Sequence, residues 1–148
     1  MHGFMAFSHR LTALTLPLQQ LFALVLRVWL FEVFFSSGLT KIQSWSSTLA
    51  LFEYEYSVPV IPPELAAWLA TAGELVLPVL LVVGLLSRFS ALGLFVLNAV
   101  AAISYPDISL AGVQQHIMWG VMLAYLSVHG GGVLSVDKLL AKRWPQQD

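Results

Sequence analysis

Apolar residues run almost unbroken through four stretches of this chain, residues 18–38, 64–86, 89–104 and 112–128. Each is near the roughly 20 residues that a helix needs to cross the hydrocarbon of a bilayer. Between the first two lies a segment of another character, residues 40–63. It carries Lys41, Trp45, a serine cluster, Glu53 and Glu55 alternating with Tyr54 and Tyr56, and then Pro59, Pro62 and Pro63. The pattern predicts an extramembrane loop whose residues 44–56 form a short amphipathic helix on the bilayer surface or over the bundle. Pro17 suits the first turn of the first helix, after a tail over residues 1–17. Gly84 with Ser87 and Arg88 makes a tight turn, Tyr105-Pro106-Asp107 ends the third stretch, and His129 with three glycines ends the fourth. Ser135 then caps a last short helix, residues 136–144, with Asp137 in its first turn and Lys138, Lys142 and Arg143 beyond. The expected architecture is an all-α membrane protein. It is a single domain over residues 1–148, a four-transmembrane-helix bundle with a short extracytoplasmic amphipathic segment and a C-terminal interfacial helix.

Composition agrees with that pattern. Of 148 residues 58% are hydrophobic and 10% charged, against about 25% charged in soluble domains, and the four spans leave no room for a soluble catalytic domain. A net charge of -1 without a basic block leaves out nucleic acid as a partner. The absence of cysteine removes disulfide relays, iron–sulfur clusters and thiolate zinc sites. Arg10, Arg88, Lys138, Lys142 and Arg143 fall on one side of a four-span arrangement and Lys41 on the other. The excess of positive charge predicts that both termini are cytoplasmic. Arg27 and Glu32 interrupt the first stretch, so it reads as a retained span rather than a cleaved signal.

Candidate chemistry comes from the polar residues inside the spans: Arg27 and Glu32, Glu74, Asn98, and His116 with Trp119. A charge at mid-bilayer costs about 2.5 to 3.5 kcal/mol on the insertion scale. In the first span twelve Leu, Val and Phe, each favourable by about 0.3 to 0.6 kcal/mol, only balance Arg27 and Glu32. Its polar face must therefore turn toward protein, water or the opposite charge. Counting about 1.5 Å per residue, all of these residues fall in one slab of the outer half, which predicts a shared pocket with Arg27 and Glu74 as its floor and His116 near its mouth. Glu32 is five residues from Arg27, about 140° round the helix, so Glu74 is the expected partner of Arg27. Two readings stay open, a ligand or proton site and a purely structural lock of salt bridge and hydrogen bonds. Pro78 lies four residues after Glu74 and frees a backbone acceptor beside the carboxylate. His116 and His129 lie about 220° apart on their helix and cannot bracket one haem iron. No catalytic residue, metal site or intrinsic cofactor is expected.

Taken together, Arg27, Gly38 and Lys41, then Glu74, Pro78, Gly84 and Arg88, then His116 and Trp119, and the ending His129-Gly130-Gly131-Gly132 with Ser135-Val136-Asp137 resemble the DoxX family of small four-span membrane proteins. The resemblance covers residues 24–140. Three glycines stand where the family pattern has glycine-proline-glycine. The resemblance implies a bacterial inner-membrane protein, an accessory component of a redox or oxidative-stress system rather than an enzyme on its own, or a subunit of a quinone-linked oxidoreductase. It also implies a small apolar ligand, with quinone the leading candidate, and a docked protein partner in the membrane; a homo-oligomer is compatible with it. The alternative is a non-enzymatic adaptor whose polar core is structural.

Overall fold

The computed structural model describes residues 2–143, with side chains described from Thr15 onward. The described residues are all-helical: α1 (His2–Gln43), α2 (Trp45–Tyr54), α3 (Pro63–Val83), α4 (Ser87–Ser104), α5 (Leu110–His129) and α6 (Val136–Arg143). Three helices are long and apolar enough to cross a membrane, over Thr15–Gln43, Pro63–Val83 and Ser87–Ser104. Helix α5 is long enough, but Gln114, Gln115 and His116 lower its apolar content.

The first helix departs most from expectation. It passes straight through Pro17 and continues to Gln43, so that Lys41 stands in its last turn rather than in a loop. The chain then bends once at Ser44, and α2 folds back over α3. Phe52 packs there with Ala66 and Ala67, and Trp45 lies 4.2 Å from Trp68 between ring centroids. The other boundaries move by one to three residues. Trp144, expected in the last helix, lies outside the described residues.

Local chemistry explains the helix ends. Pro63 opens α3, where its missing N–H costs no helical bond. Gly84 closes α3 in the left-handed region, φ 76°, and the Leu85 amide returns to the Leu80 carbonyl at 2.9 Å. Ser109 caps α5, accepting from the Gly112 amide at 3.1 Å.

Helix α1 packs along α3, α3 along α4, and α4 along α5. The main core is Ala23, Leu26, Leu30, Phe34, Leu81, Ala91, Leu94, Leu123 and Leu126. Gly38 lets α1 approach α3 so closely that a Cβ there would stand 2.9 Å from Leu75 and 3.1 Å from Glu74. This contact sets the register of the two helices, and with it which polar residues meet.

Candidate functional site: two separate polar centres

The polar residues divide between the two ends of the bundle. At the end covered by α2, the Lys41 ammonium donates to Glu74 Oε2 at 2.6 Å and to Ser37 Oγ at 2.9 Å. Across from this ion pair, Asn98 and His116 form a two-bond clasp between α4 and α5. Asn98 Nδ2 donates to the His116 carbonyl at 2.9 Å, which turns Oδ1 toward His116 Nδ1 at 2.8 Å. With the amide so oriented, Nδ1 carries the hydrogen and donates, and Nε2 is left without a protein partner among the described residues. Trp119 stands edge-on to His116, centroids 5.2 Å apart, and to Phe34 at 6.0 Å.

Between these groups lies a cavity of about 670 Å³, walled mostly by apolar side chains of α1, α3, α4 and α5 and roofed by Phe52, Tyr56, Val58 and Ile61. Lys41, Glu74, His116 and Trp119 all line it. So does Ser104, whose buried hydroxyl has no hydrogen-bond partner among the described residues. The Ser57 amide ties the roof to the Ser104 carbonyl at 2.7 Å. Burial, then the charge of Glu74 and the neighbouring Tyr105 and Glu55, hold the Tyr56 phenol above its ordinary range, so it stays a neutral donor. A hydroxyl-lined cleft beside α2 shares Ser37, Lys41 and Tyr56 with the cavity and continues past Thr40, Ser44, Ser47 and Thr48.

Arg27 belongs to neither wall. Its guanidinium lies at the other end, 1% exposed, and donates to four backbone carbonyls: Leu81 at 2.8 Å, Gly131 at 2.8 Å, Leu134 at 2.7 Å, and Val82. Leu81 and Val82 belong to the last turn of α3, where the carbonyl ends of the helix favour a cation. The neighbouring segment is tied down as well. Asp137 accepts from the Leu86 and Ser87 amides at 2.7 and 2.8 Å, and its own amide donates to the Gly84 carbonyl at 2.9 Å. Gln20 accepts from the Val133 amide at 2.6 Å.

The expected Arg27–Glu74 pair is therefore corrected, because α1 ends at Gln43 and not near residue 38. That extension places Arg27 about 24 Å from the α2 end of its helix, level with the end of α3, and brings Lys41 up to Glu74. Of the other expected pocket residues, Glu74, His116 and Trp119 line the cavity, and Asn98 stands behind His116 and orients it. Glu32 does not join them; it lies on the exposed face of α1. Lys41 was the residue missed. Its signal is Ser37 four residues before it, on the same helix face, so that an apparent loop lysine is the next turn of the span.

The family model described as DoxX matches residues 22–106. An uncharacterized protein of Haemophilus influenzae is 35% identical over 129 residues, covering 82% of this chain and 85% of that relative. This chain belongs to the DoxX family, as a membrane protein. No solved structure matches it.

Proposed function

We propose that the chain is an accessory protein of a redox or stress-response system in the bacterial cytoplasmic membrane, and that it holds a small, largely apolar ligand of the quinone class in the α2-end cavity while docking a membrane partner. One observation carries this reading: an apolar cavity of about 670 Å³, within the range of small-molecule sites, faced by polar stations from different helices. Lys41 has three N–H donors and spends two on Glu74 and Ser37. Its charge is already balanced, so a neutral carbonyl or hydroxyl suits the third better than an anion. Across the cavity His116 Nε2 can accept from a ligand hydroxyl, or donate when the ring is protonated. Ser104 offers a further hydroxyl. A ring with polar groups at opposite edges and an apolar tail satisfies all of these at once.

Four spans with both termini cytoplasmic fit the charges. Arg88, Lys138, Lys142 and Arg143 gather at the α6 end, whereas Lys41 at the α2 end is spent on Glu74. Helix α5 then crosses with His116 turned to α4 and the cavity, while Gln114 and Gln115 are exposed in its first half. The test is gentle detergent purification from the native host, followed by extraction and mass spectrometry. A copurifying quinone, lost in Lys41→Met and His116→Ala, supports the reading. Protein that folds and retains no quinone, even when one is added back, overturns it.

A further inference from the structure

Glu32 faces outward from the apolar Thr15–Gln43 part of α1 and has no hydrogen-bond or ion-pair partner among the described residues. Its depth is fixed by its neighbours. Two residues on, Phe34 packs against Trp119 in the middle of α5, and one turn further Gly38 packs against Glu74 and Leu75 in the middle of α3. Glu32 is therefore within about 10 Å of the level at which the neighbouring helices are half crossed. It is also on the face turned away from them. Leu21, Val25, Val28, Trp29, Glu32 and Ser36 are all exposed and fall within about 100° of one another around α1, while Arg27 points the opposite way into the bundle. Apart from Glu32 and Ser36 the stripe suits lipid. A carboxylate at that depth does not, unless a neighbouring span supplies a donor or a cation.

We propose that this stripe of α1 docks a membrane-spanning helix of a partner protein, one that carries a basic side chain level with Glu32. The charge selects the partner. A second copy of this chain meeting the same stripe across a two-fold axis would set Glu32 against Glu32, whereas a lysine or arginine neutralises it and supplies hydrogen bonds. The proposal deepens the docking part of the function above and rests on it, but not on the cavity, which opens on another side of α1.

The chain has no cysteine, so Ser46→Cys on the exposed face of α2 gives one labelling site for an acceptor dye. The labelled protein goes into vesicles of phosphatidylethanolamine and phosphatidylglycerol with a donor-labelled, all-apolar transmembrane peptide carrying one central arginine, or leucine in its place. Energy transfer to the arginine peptide is expected at about tenfold lower peptide density than to the leucine peptide, and Glu32→Leu and Glu32→Gln should both erase the difference. Equal transfer to both peptides, or a preference that survives Glu32→Leu, overturns the proposal. Energy transfer between two dye-labelled populations of the chain that depends on Glu32 assigns the stripe to a second copy, and modification of Glu32→Cys by a membrane-impermeant thiol reagent puts the position in water; either also overturns it. Quinone retention is scored separately, so an empty cavity and an unpaired stripe are distinct results.

Discussion

Arg27 and Lys41 are both cations on α1, three and a half to four turns apart, and they have opposite surroundings. The Arg27 guanidinium is enclosed by backbone carbonyls from two segments, the end of α3 and the α5–α6 connection, with Asp137 as the nearby opposite charge rather than a bonded one. The Lys41 ammonium has a carboxylate and a hydroxyl on one side and open cavity on the other. A charge with four of its five N–H donors taken by fixed backbone is a fastener, with little left to offer a ligand. A charge held beside a cavity with a donor to spare is fitted for binding. The two readings of the buried charges thus divide between the ends of the molecule: the hydrogen-bonded lock describes Arg27, and the ligand site proposed above would draw on Lys41.

Substitution should separate the two centres, with the largest effect at the fastener. Arg27→Met orphans four carbonyls at the α6 end and is expected to destabilise the protein by about 3–5 kcal/mol. Arg27→Lys should recover little of this, because one ammonium cannot reach four acceptors arranged for a guanidinium fork. Thermal or denaturant unfolding in a fixed detergent measures both. The molecules that remain folded should still bind ligand, and a loss of affinity matching the loss of stability would show that the centres are not separate. Glu74→Leu leaves Lys41 unpaired beside apolar walls and is expected to cost about 2–4 kcal/mol. Adding Lys41→Met should return most of that stability while ligand binding stays lost. A double variant as unstable as the sum of the singles would mean that the pair does not couple.

Most of the fold is legible in the sequence, because membrane helices announce themselves by length and apolar content and two of their ends by Gly84 and the glycines after His129. The site is legible in part. Glu74, His116, Asn98 and Trp119 are found by the cost of polar groups in apolar spans, and three of the four line the cavity. The pairing was not legible, since it depends on where α1 ends. Gly38 gives a stop signal and Pro17 a start signal in a helix that in fact runs through both. An error of about one turn in the end of α1 exchanges Arg27 for Lys41 as the partner of Glu74. The carbonyl cage was equally hidden, because its acceptors are backbone atoms of residues that carry no polar signature.

A smaller effect is expected behind the cavity wall. Asn98→Leu removes both bonds of the α4–α5 clasp, frees the His116 ring to rotate, and should cost about 1–2 kcal/mol in stability. It should weaken ligand binding by about tenfold, because His116 is no longer oriented toward the cavity. Titration of the folded variant with a short-chain quinone, followed by tryptophan fluorescence, checks it. Unchanged affinity would place the ligand away from His116.

The smallest effect belongs to Asp137, and pH distinguishes it from every other position. Its partial burial favours the neutral form, but the amides of Ser87 and Leu86 and the positive charge of Arg27 outweigh that, so its carboxyl lies below the ordinary value of 3.8. A depressed carboxyl stabilises the fold only while ionised. Its contribution is complete above the ordinary carboxylate value and is lost as pH falls through the lower, folded-state value. Asp137→Asn is therefore expected to cost about 1 kcal/mol at neutral pH, the usual worth of a helix cap, and progressively less below pH 3.8. Unfolding measured at neutral pH and at about pH 3, for the native chain and the variant, gives the sign directly. A gap that widens on acidification would mean that Asp137 binds its proton more tightly folded than unfolded, and that the amides at the start of α4 are not what hold it.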